Sequence, residues 1–180
     1  MSSGPVVIAF DGSPASRHAL RTAAALMAPR RGLVVVVWEA GLAFDLAAIP
    51  SASLDLPPAE VDYARAAQID QTLAANAQEL ARHGAALAAE MGMAAEALAV
   101  VDELTVGETL VRVARKVDAA AVVVGRQERG MLHDFFVGST TKELVKHSPC
   151  PVLVVRGDGS GDAEGARSAD GDSAGSGGAG

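Results

Sequence analysis

Aromatic side chains make up only 3% of this 180-residue chain, with one Trp, one Tyr and four Phe. A core can then be filled only by Ala, Val, Leu and Ile, and 49% hydrophobic residues are enough to fill one. The single cysteine, Cys150, excludes an internal disulfide and any cysteine-rich metal site. A basic excess is also missing. The formal charge is -7, and Asp158, Asp162, Glu164, Asp170 and Asp172 against Arg167 place four of those charges on residues 157–180. Residues 1–156 keep -3, which is not the basic stripe of a nucleic-acid surface. No basic segment precedes the short apolar run Val6 to Phe10, and no run approaches the ~18 residues of a membrane span. The expected setting is therefore cytoplasmic and soluble, with neither nucleic acid nor membrane as partner.

Short β-branched runs alternate with segments of helical period. Pro5 to Phe10 reads as a strand buried on both faces, and Asp11, Gly12, Ser13 and Pro14 then turn into a helix, with Ser13 as N-cap and Pro14 as its first residue. Ala19, Leu20, Ala23, Ala24 and Met27 recur at helical spacing along it. Leu33 to Trp38 is a second strand. Residues 40–58, rich in Ala, Ser and Pro, read as an excursion from the sheet edge. A long helix is expected from about Ala59, with Ile69, Leu73, Ala77, Leu80, Gly84, Leu87 and Met91 as its apolar stripe. Ala95 to Val101, a helix over Thr105 to Val117, Ala119 to Val124, a short helix over Ser139 to His147 and Pro151 to Val155 complete the order. Such alternation predicts an α/β fold, a five-stranded parallel sheet with helices on both faces and right-handed crossovers. If the strand order is 3-2-1-4-5, a ligand crevice opens beyond the carboxyl ends of strands 1 and 4.

Residues 157–180 are almost free of apolar side chains larger than alanine, so they cannot offset the entropy of ordering and are expected to be a disordered acidic tail behind a domain over 1–156. Their GxSxG match at Gly171, Ser173 and Gly175 lacks the strand and helix a nucleophile elbow needs. His18, His83, His133 and His147 never fall at i, i+4 with one another, which argues against a histidine metal site. Cys150 reads as a small hydrophobe between two prolines, Phe135 and Phe136 as plugs of their loop into the core, and Lys142 with Lys146 as a solvated face. No GxxxxGK[ST] loop is present, which excludes a P-loop NTPase. The remaining chemistry lies in Gly125 to Ser139, GRQERGMLHDFFVGS, a glycine-punctuated loop leading into a helix start. Unpaired N–H groups and the positive dipole end there suit an anion.

Three blocks carry a family resemblance: VVIAFDGSPASRHAL at Val6 to Leu20, VVVGRQERG at Val122 to Gly130, and VGSTTKELVKHSPCPVLVVR at Val137 to Arg156. They resemble the universal stress protein family, whose nucleotide-binding members share a GxxGx9G[ST] motif after strand four. The resemblance spans about residues 5–156. It implies the 3-2-1-4-5 order of an adenine nucleotide alpha hydrolase-like fold, a stress-response role, and ATP or a related adenine nucleotide as ligand, with Mg as the ion accompanying its phosphates. Asp11 and Val37 would then lie beside the adenine, Gly125 close to the ribose, and Gly138, Ser139 and Thr140 at the phosphates. It further implies a homodimer through the last strand. No residue stands out as a base for water activation, so a sensor rather than a catalyst is expected, with slow ATPase activity as a lesser reading.

The chain departs from the motif at Glu128, where glycine is expected. A carboxylate ~5 Å from a phosphate costs roughly 1 to 3 kcal/mol, about tenfold or more in affinity. Arg126 and Arg129 flank it and would either neutralise it or meet phosphate themselves. The alternative function is thus a dimeric interaction module of the same fold that has lost nucleotide binding through Glu128.

Overall fold

In the computed structural model, residues 3–41, 63–102, 104–126 and 138–157 are described. Strand β1 (Val6–Ala9) is the centre of the sheet. It leads into helix α1 (Pro14–Met27), followed by β2 (Gly32–Glu39), α2 (Tyr63–Glu90), β3 (Ala95–Asp102), α3 (Val106–Lys116), β4 (Ala121–Arg126), α4 (Ser139–His147) and β5 (Val152–Arg156). All five strands are parallel in the order β3-β2-β1-β4-β5, as expected. The order reverses at β1, where Ile8 is level with Val34 on one side and Val123 on the other.

Alternation along the strands divides the core into two layers. Val6, Ile8, Phe10, Val34, Val36 and Val123 pack against α1 and α2. Val7, Leu33, Val35, Val122 and Val124 pack against α3 and Leu144 of α4. Helix starts are fixed by their own side chains: Ser13 caps α1 by accepting from Ser16 N at 3.2 Å, with Pro14 at its first position. Thr105 caps α3 by accepting from Glu108 N at 3.2 Å, and Arg115 and Lys116 suit its negative end.

Two expectations need correction. Of the expected α2 stripe, Ala77 and Gly84 are buried and Leu80, Leu87 and Met91 pack half-buried on the core, but Ile69 is exposed and the deepest line also takes in Ala81, Ala85 and Ala88. Small residues face inward because the helix lies almost on the sheet: a Cβ on Gly84 would stand 2.8 Å from Val34 Cγ1 and 2.9 Å from Phe10 Cδ1. The fourth strand also starts and ends two residues later than expected, so Gly125 belongs to β4 and not to a loop. Pairing explains the extension, since Gly125 and Arg126 continue the ladder opposite Val155 and Arg156.

Candidate functional site

Strands β1 and β4 pair as far as Ile8 and Val123, which lie three residues before Asp11 and Arg126 respectively. The turn after β1 is rigid. Phe10 N donates to Val35 O at 2.9 Å, the last ladder bond before the chain leaves the sheet. Gly12 then takes φ 76°, a left-handed conformation that glycine enters without a Cβ penalty. Its carbonyl accepts from Arg17 Nε at 2.9 Å. Ser13 N donates to Asp11 Oδ1 at 2.9 Å, while Ser16 Oγ donates to Ser13 O at 3.0 Å and accepts from Asp11 N at 3.4 Å. Partial burial pushes the Asp11 carboxyl up, but the Ser13 and Ser16 hydroxyls and the Ser13 N–H together pull it below the usual aspartate value. Asp11 is thus an anion at neutral pH, held in the turn that follows β1. Ser16, buried and central to this network, escaped the sequence reading; its signal was a second serine three residues after the N-cap.

Gly125 is joined to the same turn. A Cβ there would overlap the Ala15 carbonyl and stand 2.9 Å from Ser16 N, so the glycine is what lets β4 close against the first turn of α1. Val37, half-buried near the end of β2, pairs with Val100 and packs beside the α3 layer. The structure therefore brings Asp11 and Gly125 together through Ala15 and Ser16, with Val37 one strand away.

Gly138, Ser139 and Thr140 open α4, which ends just before β5 begins; its start therefore lies at the carboxyl end of the sheet, as does the Asp11 turn. Among the described residues no hydrogen bond ties the two together. Thr140 packs toward α3, where its carbonyl lies 3.3 Å from the position a Cβ on Gly107 would take. Gly138 is the N-cap, with φ -56° and ψ 157° and no side chain capping the helix. The first bond of α4 is Lys142 N to Gly138 O at 3.0 Å, so among the described residues the earlier N–H groups of the helix start have no backbone or capping partner. Around Gly138 no described atom comes within 4 Å of a built Cβ.

Arg126 adds charge that the motif does not supply. Its Nε is sealed from solvent and has no acceptor among the described residues, a deficit that costs about 1–3 kcal/mol. The expectations for residues 40–58 other than Ala40 and Gly41, for the tail beyond Gly157, and for Glu128, Arg129, Gly130, His133, Phe135 and Phe136 lie outside the described residues. Cys150 is half-buried in the α3 layer, as a small hydrophobe would be. Among the described residues no group of three or more His, Cys, Asp or Glu is placed to hold a metal, and no helix is long and apolar enough to cross a membrane. Two cavities, of about 510 and 720 Å³, lie toward the amino ends of the strands, around Gly32 and Val117 and around Ala121 and Pro151. Neither touches Asp11, Gly125 or Gly138.

Comparison with known proteins places this arrangement. The model of the universal stress protein family matches residues 3–156. A protein of that family from Burkholderia pseudomallei is 23% identical with a TM-score of 0.59, covering 85% of this chain and 96% of that one. The universal stress protein from Archaeoglobus fulgidus in complex with dAMP is 21% identical with a TM-score of 0.52, covering 86% and 99%. A family member from Arabidopsis thaliana with AMP bound is 16% identical with a TM-score of 0.55, covering 87% and 93%. A search among curated proteins found no match.

Proposed function

Because the chain belongs to the universal stress protein family, we propose that it binds an adenine nucleotide across the carboxyl ends of β1 and β4 and acts as a sensor rather than a catalyst. Asp11 and Val37 would flank the base, Gly125 would lie near the ribose, and Gly138, Ser139 and Thr140 would hold the phosphates. ATP is the ligand that makes fullest use of the site. With no cluster of three or more His, Cys, Asp or Glu for a metal among the described residues, an accompanying Mg would be held mainly by phosphate oxygens and water. Relatives of the same fold carry dAMP and AMP, which supports the ligand class.

One observation carries this reading, and it is at Gly138. Its φ and ψ are open to every residue, and no described atom would meet its side chain. Gly125, by contrast, is explained by packing alone. A glycine with no packing neighbour among the described residues, beside helix N–H donors that no described group caps, leaves room for a phosphate to approach the backbone. Calorimetric titration with ATP and AMP tests it: saturable heat at micromolar to millimolar nucleotide is expected, and none up to millimolar concentrations rejects the reading.

A second reading concerns β5, which among the described residues pairs with β4 alone and has no strand on its other edge. We propose that two copies associate through Val152–Arg156, covering an apolar edge that would otherwise invite uncontrolled pairing. This would serve the chain as an interaction module even if Glu128 prevents nucleotide binding. Light scattering behind size exclusion should give twice the 18.2 kDa of one chain; a monomer at high micromolar concentration rejects it.

A further inference from the structure

At the carboxyl end of the sheet two arginines stand side by side. Arg126 closes β4 and Arg156 closes β5, and the two are register partners on adjacent parallel strands, with backbones about 4.8 Å apart. They follow Val124 and Val154 by two residues, which puts both on the sheet face covered by α3 and α4. Like charges in directly paired positions repel. Among the described residues neither arginine has a carboxylate partner, unlike Arg31 with Glu96 or Arg82 with Glu79. Arg126 also keeps its buried Nε without an acceptor. The strand end is fixed all the same, by Gly157 N donating to Arg126 O at 3.0 Å. A pair of permanent cations on a fixed strand end, one with an orphaned donor, is an arrangement completed by an anion with several oxygens.

We propose that Arg126 and Arg156 form a polyphosphate-reading pair, which makes this chain select nucleoside triphosphates over monophosphates. The inference rests on the adenine-nucleotide reading for its ligand. Backbone N–H groups at Gly138 to Thr140 offer dipoles but no full charge, so they distinguish AMP from ATP weakly. The arginines add the charge that scales with the number of phosphates. Because α4 begins at the same end of the sheet and packs on the same face, phosphates held at its N-terminus would lie on the arginines' side of the sheet.

The test is a ladder of titrations with adenosine, AMP, ADP and ATP against the full-length protein, Arg126→Gln and Arg156→Gln, with tripolyphosphate as a separate probe. In the parent, ATP should bind at least about tenfold more tightly than AMP, and the ratio should shrink with added salt. In Arg126→Gln the ratio should fall to about threefold or less while AMP affinity barely changes. Circular dichroism and melting establish that each variant is folded. An unchanged ladder in both folded variants overturns the proposal, as does a melting loss in Arg126→Gln with the ladder intact, which marks the arginine as a structural partner of the loop. If no adenine nucleotide binds the parent, the ligand reading fails by itself. Tripolyphosphate then decides the pair: a thermal shift abolished by Arg126→Gln retains it, and no shift overturns it.

Discussion

Replacing Gly125 by alanine inserts one methyl group where β4 meets the first turn of α1. The new Cβ would overlap the Ala15 carbonyl and lie 2.9 Å from Ser16 N, and both are backbone atoms that no rotamer change can move away. Either β4 or α1 must shift. Overpacking of this kind costs about 1–3 kcal/mol. A displaced first turn also disturbs the bond from Ser16 N to Ser13 Oγ, and a lost N-cap adds about 1 kcal/mol. The expected total is about 2–4 kcal/mol. For a domain of this size each kcal/mol lowers the melting temperature by about 2–4 °C, so the variant should melt roughly 5–15 °C below the parent. Thermal unfolding followed by circular dichroism, with urea midpoints as a check, reads this directly. A fall of less than about 1 °C would refute the packing account of Gly125 and return the residue to a purely ligand-facing role.

Other outcomes follow from the same contacts. Gly84→Ala would drive a Cβ into Val34 and Phe10, and should lower stability by about 1–3 kcal/mol in urea unfolding. Ser13→Ala removes the α1 cap and should cost about 0.5–2 kcal/mol by the same assay, with Ser13→Thr, which keeps the hydroxyl, closer to the parent. Asp11 has a carboxyl held below its ordinary value, so its contribution is complete above the unfolded pKa of about 3.9 and is lost as pH falls through the lower folded value. Asp11→Asn should therefore be less stable than the parent at pH 6, and the gap should close below about pH 4; a gap that stays constant from pH 6 to pH 3 contradicts that linkage.

The architecture was legible because each crossover left its mark in the residues. Runs such as LVVVVW can only be strands buried on both faces, and Ser13-Pro14 and Thr105 announce their helices through capping chemistry. Strand order came from the resemblance together with the general rules for such sheets. Local misreadings have a common cause, which is that glycine and alanine carry little pattern. Gly125 looked like the start of a loop because a run of valines stops before it, and only its register with Val155 shows a strand continuing. The stripe expected for α2 holds from Ala77 to Met91, but it begins at Ile69, which is exposed, and it misses Ala81, Ala85 and Ala88, too small to dominate a periodicity. At the site, the motif pointed to Asp11, Gly125 and Gly138 alike. Three-dimensional packing separates them, giving Gly125 a structural duty while Gly138 has no described neighbour around its Cβ position. Arg126 was noticed as a neighbour of Glu128, but its pairing with Arg156 depends on two strands thirty residues apart.

The central claim, that the start of α4 receives the phosphates of an adenine nucleotide, is tested most directly by ATP calorimetry on the parent and on Gly138→Asp. Aspartate is a favourable N-cap and meets no described atom, so the helix should be as stable as before or a few tenths of a kcal/mol more so. Its carboxylate would occupy the free N–H donors and repel phosphate, and ATP affinity should fall by at least about tenfold. Parent and variant binding ATP equally well, with both folded, would contradict the account.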